Sequence, residues 1–165
     1  MGLEQIDCAT TKRIVGVDIN AEYLDKVQHR FGTLAGLELH CLDLTEQDFS
    51  LAPVALVHAA LIFEHVGLGL ALEHALSLVA PGGSLSVVLQ LPSVDQQNIT
   101  STCYTSMQKL KQHFAIIGIG EFRALLAQKG FRLVDEESRS LPAGKGLWFG
   151  VFVQSGDAGT AARVA

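Results

Sequence analysis

The chain has 165 residues, a length that suits one domain with a substantial core. Hydrophobic residues make up 48% of it and charged residues 18%, proportions that favour a sheet buried on both faces. The formal net charge of -5, without any cluster of Lys and Arg, argues against a nucleic-acid-binding surface, and the three cysteines follow neither a disulfide framework nor a zinc-site pattern.

The sequence predicts neither a targeting segment nor a membrane span. Its first residues lack a basic stretch leading into an apolar one, and the uncharged stretch in the apolar middle, residues 49–63, is shorter than a bilayer requires. An odd number of widely spaced cysteines fits a reducing compartment. We therefore expect a soluble cytoplasmic protein with no membrane or nucleic-acid partner.

Strands and helices alternate along the first half of the chain. Residues 13–18 are a β-branched run that predicts a strand, after which Asn20 stands at the N-cap position of a helix that Gly32 ends. Residues 37–42 predict a second strand. Residues 54–60 are almost wholly apolar, which is typical of a central strand in a parallel sheet.

The middle of the chain predicts a helix, a sharp turn and another strand. Apolar residues recur at helical spacing over residues 68–78, and Pro81-Gly82-Gly83 breaks that pattern. Residues 84–91 predict a fourth strand. Residues 92–105 are polar and without periodicity, so we expect a long loop there.

The last third predicts a helix and a hairpin. Residues 121–129 form a helical pattern closed by a glycine, and residues 131–141 and 147–153 predict two antiparallel strands. We expect an α/β fold, a doubly wound, mostly parallel sheet with this C-terminal hairpin as its antiparallel edge. Residues 1–154 are predicted to form one domain and residues 155–165 a disordered tail.

Two acids follow consecutive predicted strands, where open parallel sheets bind ligands. The Asp18 carboxylate suits two ribose hydroxyls, and its alternative interpretation is an acid placed by the helix dipole. Asp43 could accept a hydrogen bond from an adenine amino group beside the N–H of Leu44, and its alternative is a turn aspartate that satisfies nearby backbone donors. The two acids together are more informative than either alone.

Other polar residues are weaker candidates. Glu64 and His65 could serve as acid and base toward an acceptor, or form a polar pair at the start of a helix outside the pocket. His58 is predicted to be a core histidine with a hydrogen-bonded ring. Cys103 and Tyr104 could line an acceptor pocket or only pack the loop. No histidine set has metal-site spacing, so we expect no metal.

Four motifs occur in a familiar order: VGVDIN at 15–20, CLDLTE at 41–46, ALIFEHV at 60–66 and LVAPGGSLSVVLQ at 78–90. This succession resembles the class I (Rossmann-like) S-adenosylmethionine-dependent methyltransferases over nearly the whole chain, as far as Val153. The resemblance implies S-adenosyl-L-methionine as cofactor, with Asp18 at the ribose, Asp43 and Leu44 at the adenine, and Ala59 to Leu61 beneath the methionine arm and methyl group. The residues it implies for cofactor binding are Gly2, Asp18, Ile19, Asp43, Leu44, Ala59, Ala60 and Leu61.

The sequence departs from this family at its start. The family's first strand and most of its glycine-rich loop have no counterpart upstream, and Gly2 followed by residues 3–9 is similar to the last loop glycine leading into the first helix. Ala55 stands where many relatives have an aspartate. Because the missing strand is central, the strands containing Val15 and Leu56 would each lose a ladder partner, and we expect a homodimer, a swapped assembly or direct closure of the two strands.

The resemblance implies methyl transfer to a small-molecule acceptor, impaired in a chain without the loop. One alternative is a non-catalytic methyltransferase-like module for binding or assembly. Another is a nicotinamide-dependent oxidoreductase, since both nucleotide-binding families place an acid after the second strand of the sheet. Asp43 and the terminal hairpin argue against the oxidoreductase.

Overall fold

The computed structural model of the chain describes residues 2–92, 114–141 and 144–155. Contacts group the chain into two compact units, Met1–Phe49 and Ser50–Ala165, and each is described by itself. The assignment of residues 1–154 to one domain remains a prediction. Of the predicted tail only Ser155 is described, and its N–H donates to the carbonyl of Gly130 at 2.7 Å, while residues 156–165 lie outside the described part.

The first unit is a β-α-β arrangement. Strand β1 (Ile14–Asp18) leads into helix α1 (Ala21–Phe31), and strand β2 (Leu37–Cys41) then pairs parallel to β1, as predicted. Asn20 caps α1 by accepting the N–H of Glu22 at 3.0 Å. Before β2 the chain turns at Gly36 with φ 77°, where a Cβ would lie only 2.2 Å from the carbonyl oxygen of Lys12, so that the turn requires glycine.

The amino-terminal segment differs from the expected helix. Residues Gly2–Gln5 form one 3-10 turn, after which Asp7 organises a second turn. The Asp7 side chain accepts the N–H of Ala9 at 2.8 Å, and its carbonyl accepts the N–H of Thr11 at 2.8 Å. These local hydrogen bonds compete with helix formation.

The second unit contains a four-stranded sheet. Its strands are β3 (Val54–Ala60), β4 (Val79–Leu91), β5 (Phe131–Ser140) and β6 (Gly146–Gln154), in the order β3-β4-β6-β5. β3 and β4 are parallel, and β6 is antiparallel to both its neighbours. The predicted hairpin is confirmed. It forms one end of the sheet, as predicted, with β6 next to β4 and β5 as the outermost strand.

The turn predicted at Pro81-Gly82-Gly83 lies inside β4, not before it. Val54 pairs with Val79, whereas Leu56 pairs with Ser84, so β4 carries a bulge that absorbs the extra residues. A Cβ on Gly83 would lie 2.8 Å from the carbonyl oxygen of Ala55, and glycine allows this close approach.

Three helices complete the second unit. They are α2 (Phe63–Val66), α3 (Leu70–Ser77), which replaces the longer helix predicted over residues 68–78, and α4 (Ile119–Gln128). The core contains the aromatic rings of Phe63, Phe122, Trp148 and Phe152 among aliphatic side chains of the strands. No helix in the described ranges is both long and apolar enough to cross a membrane.

Four strands, β1, β2, β3 and β5, have a single described ladder partner. β1 has one ladder partner, β2, and β3 has one, β4. Among the described residues no strand precedes β1. The exposed side chains of Ala55 and Leu56, the latter 59% exposed, lie on β3.

Candidate ligand-binding site

Asp18 is the last residue of β1 and is half-buried. Its Oδ1 accepts the N–H of Asn20 at 2.8 Å, the residue that caps α1. The other carboxylate oxygen has no hydrogen-bond partner within the described residues. Next to it, the side chain of Ile19 is 68% exposed. The turn after β1 therefore presents an acceptor oxygen beside an exposed apolar side chain.

Asp43 follows β2 by two residues. Its Oδ1 accepts both the hydroxyl and the N–H of Thr45, each at 2.7 Å. These hydrogen bonds stabilise the carboxylate and hold the pKa of Asp43 below its ordinary value, the hydroxyl having the larger effect. The local role considered for Asp43, a turn aspartate that satisfies neighbouring donors, is thus present, and it occupies one of the two oxygens.

The turns after β1 and β2 are joined to each other. Asp18 pairs with Cys41 in the ladder, and the N–H of Leu42 donates to the Asp18 carbonyl at 3.2 Å. The Cys41 thiol also lies 3.5 Å from the carbonyl oxygen of Ile19. The structure therefore brings Asp18, Asp43 and Leu44 to one end of the same two-stranded ladder, as the sequence predicts.

The segment at the end of β3 contains a strained residue. Ala59 is buried and Ala60 exposed, and Leu61 has φ 55°, the left-handed conformation that residues other than glycine seldom adopt. The N–H of Leu61 donates to the carbonyl of Val88 at 2.9 Å, which continues the ladder by one step. Its side chain is 39% exposed. Such strain is concentrated at functional sites.

Glu64 and His65 lie at the start of a helix, α2. Its side chain is 1% exposed, and Oε1 accepts the N–H of Gln90 at 2.6 Å. The His65 ring packs edge-on against Phe114, with centroids 5.3 Å apart, and its Nδ1 has no partner within the described residues. Glu64 is therefore a buried carboxylate at the start of α2 that is hydrogen-bonded to β4.

The groups that Glu64 binds cannot be recognised from the sequence. They are the main-chain N–H of Gln90 and the N–H of Ala115, which donates to the Glu64 carbonyl at 2.8 Å. Main-chain donors have no side-chain signature, and their partner is more than twenty residues away in the sequence. Only the folded backbone shows these contacts.

The remaining candidates are placed less usefully. Gly2 begins the first 3-10 turn, and Cys103 and Tyr104 lie outside the described residues. The His58 ring is hydrogen-bonded to the Ser86 hydroxyl at 3.0 Å, as expected, but the prediction that it is a core residue was wrong, because it lies on the exposed side of β3. In the described ranges no group of three His, Cys, Asp or Glu could hold a metal ion.

No protein-family model matches this sequence, and no curated protein matches it significantly. Solved structures do resemble it. The N-methyltransferase NodS of Bradyrhizobium japonicum, crystallised with S-adenosyl-L-homocysteine, superposes with a TM-score of 0.61 at 15% identity, over 87% of this chain and 67% of its own. An S-adenosylmethionine-dependent methyltransferase of Methanosarcina mazei has a TM-score of 0.63 at 14% identity, over 93% of this chain and 86% of its own.

One structural neighbour has a different activity. The [4+2]-cyclase SpnF has a TM-score of 0.64 at 12% identity, over 89% of this chain and 69% of its own. Identities this low show fold and nothing finer, and a shared fold hosts different reactions. The chain has the Rossmann-like α/β fold of the class I S-adenosylmethionine-dependent methyltransferases.

Proposed function

We propose that this chain is an S-adenosylmethionine-dependent methyltransferase domain that acts on a small-molecule acceptor. The observation that carries the proposal is the joined pair of turns after β1 and β2, which offers Asp18 and Asp43 at one end of the ladder. Each carboxylate uses one oxygen for its own turn. The second oxygen of each remains an acceptor, which fits the ribose hydroxyls for Asp18 and the adenine amino group for Asp43.

The cofactor, when bound, supplies a methyl group on a positively charged sulfur, already activated for displacement. The protein then has to bind and orient the reactants and exclude water. In the first unit the acids and the exposed side chain of Ile19 suit a nucleoside. The resemblance in sequence motifs suggests Ala59, Ala60 and the strained Leu61 for the methionine arm.

We further propose that activity is impaired in this chain, because it lacks a glycine-rich loop. In such loops main-chain N–H groups approach a bound ligand closely, as only glycine permits. Gly2 is the single glycine among residues 1–13. The acceptor is proposed to be small because the net charge is -5 and no basic surface suits a nucleic acid. The exposed free cysteines Cys8 and Cys41 support a reducing, cytoplasmic location.

A second candidate is a binding or assembly module without catalysis. The unpartnered edges of β1 and β3 favour it, since such edges pair with other chains. The cyclase among the structural neighbours also shows that this fold occurs in a protein whose activity is not methyl transfer. An oxidoreductase has no observation in its favour beyond an acid after a strand.

An NMR titration of the ¹⁵N-labelled chain tests the proposal. S-adenosylhomocysteine should perturb the amides of Asp18, Leu44 and Leu61 with a Kd weaker than about 1 µM, a binding free energy of about -8 kcal/mol. Nicotinamide adenine dinucleotide is the matched control and should perturb them less. Submicromolar affinity would contradict the proposed impairment, and no perturbation at millimolar concentration would favour the assembly module.

A further inference from the structure

Glu64 connects three separate parts of the second unit. Its carboxylate accepts the N–H of Gln90, near the end of β4, at 2.6 Å. Its main-chain carbonyl accepts the N–H of Ala115, which precedes α4, at 2.8 Å. Because Glu64 itself lies in α2, directly after β3, one residue ties the backbone beyond β3 to the end of β4 and to the approach to α4.

The lengths of β3 and β4 explain the contact with Gln90. β3 ends at Ala60, and its ladder with β4 makes one more hydrogen bond, from the N–H of Leu61 to the carbonyl of Val88. β4 continues to Leu91, so the N–H of Gln90 extends beyond its parallel partner. A strand N–H shielded from water needs a partner, and the carboxylate of the buried Glu64 takes the place of the missing strand carbonyl.

The packing of α2 holds Glu64 in place. Phe63 is 1% exposed, and its ring lies 5.8 Å from that of Phe122 in α4. On the other side, the ring of His65 packs edge-on against Phe114. Both neighbours of Glu64 are therefore anchored, and its carboxylate is held in one position against Gln90.

We propose that Glu64 is a positioning residue of the ligand site, and this inference rests on the proposed function. Ligands of open α/β sheets bind beyond the carboxyl ends of the strands, and Glu64 binds the backbone of Gln90 at that end of β4. The role needs an acceptor atom and not a charge. The second oxygen, Oε2, has no hydrogen-bond partner within the described residues, so an amide group can replace it without breaking a described contact.

Two substitutions separate this role from acid-base chemistry and from simple stability. Glu64→Gln keeps an oxygen that accepts from Gln90, whereas Glu64→Leu removes it at similar volume. Phe131→Leu, at the buried start of β5, serves as a destabilised control, because this residue lies at the opposite edge of the sheet from the carboxyl ends of β3 and β4. The probes are S-adenosylhomocysteine and adenosine, which lacks the homocysteine arm, each titrated by NMR against the full chain.

Glu64→Leu should weaken S-adenosylhomocysteine binding roughly tenfold or more, because misplacement of supporting backbone by about 1 Å has effects of that order or larger. Adenosine binding should stay within about twofold of the original, as should both affinities in Phe131→Leu. Glu64→Gln should restore the preference for S-adenosylhomocysteine. The Gln90 and Ala115 amides should exchange hydrogen faster in the leucine variant only.

Three results would overturn the inference. In the first, Glu64→Leu binds S-adenosylhomocysteine with unchanged affinity although its Gln90 amide exchanges hydrogen faster. Glu64 would then stabilise the fold without positioning the ligand site. The second is Glu64→Gln as defective as Glu64→Leu, which would show that the charge is needed. In the third, the original chain binds neither probe, which would contradict the proposed function and this inference together. This result is obtained before any variant is compared, so it is distinguished from the other two.

Discussion

The carboxylate of Asp18 accepts a hydrogen bond from the main-chain N–H of Asn20 at 2.8 Å. Asparagine in place of Asp18 would keep an oxygen for this turn but lose the negative charge. Asp18→Asn should therefore leave the unfolding free energy within about 0.5 kcal/mol and weaken S-adenosylhomocysteine binding by about 1.5 kcal/mol or more, roughly tenfold.

The measurement is an NMR titration beside a urea unfolding curve. Asp18→Ala is the companion variant, because it removes both the turn contact and the charge, and it should lose stability as well as affinity. If Asp18→Asn binds S-adenosylhomocysteine as the original chain does, Asp18 does not hold the ribose.

Thr45 should control the titration of Asp43. Its hydroxyl, and then its N–H, lower the pKa of Asp43 from the ordinary value of 3.8. A depressed carboxyl pKa contributes stability above the unfolded-state pKa, and that contribution is lost as the pH falls through the folded-state pKa. Thr45→Val removes the hydroxyl alone, so it should raise the pKa of Asp43. The free energy of unfolding should then fall less steeply as the pH is lowered into the acid range.

Carbon-detected NMR of the Asp43 carboxyl group follows this titration directly. Thr45→Ser keeps the hydroxyl and should keep the depressed pKa. An unchanged Asp43 pKa in Thr45→Val would show that the hydroxyl hydrogen bond is not the main cause of the shift.

Leu61 should tolerate glycine better than an ordinary exposed leucine does. The left-handed conformation costs a leucine about 1–2 kcal/mol, whereas the added chain entropy of a glycine costs about 0.5–1 kcal/mol. Leu61→Gly should therefore be at least as stable as the original chain in urea unfolding. If the strain serves ligand binding through the side chain, S-adenosylhomocysteine affinity should fall in the same variant.

Leu70 provides the control for Leu61, since it is 40% exposed and begins α3 in a helical conformation. Leu70→Gly should lose about 0.5–1 kcal/mol. Equal destabilisation of Leu61→Gly and Leu70→Gly would mean that Leu61 is not strained in solution.

The free edge of β3 should pair with another chain. β3 carries no proline, lysine, arginine or acid, and its Leu56 is 59% exposed. β5, at the opposite edge of the same sheet, carries the exposed charges of Asp135, Glu136 and Glu137. Charges protect an edge from pairing, and exposed apolar residues do not. The chain should therefore form a dimer or larger assembly through the uncharged edge of β3.

Light scattering tests this association. Leu56→Lys should shift the protein toward the monomer without loss of folding, whereas Val134→Lys, on the 44% exposed residue of β5, should not. The amides of β1 and β3 should exchange more slowly in the assembly. A monomeric original chain with both strands strongly protected would contradict pairing between chains and favour closure within one chain.

The sequence alone determined the elements whose signals are local. Residues 13–18 and 54–60 are apolar runs that need no distant partner to be recognised, and the Asn20 cap bonds two residues away. The placement of Asp18 and Asp43 at one end of a ladder followed from the same local pattern, because consecutive parallel strands carry their carboxyl ends to the same edge.

Tertiary structure decided the features that depend on distant pairing. β4 begins at Val79 because Val54 offers it a ladder partner, although Pro81 predicts a break there. β6 lies inside the sheet because β4 and β5 both pair with it. The burial of Glu64 follows from the N–H of Gln90, 26 residues away and beyond the end of β3. A main-chain donor carries no mark in the sequence, so only the fold could show which carboxylate it binds.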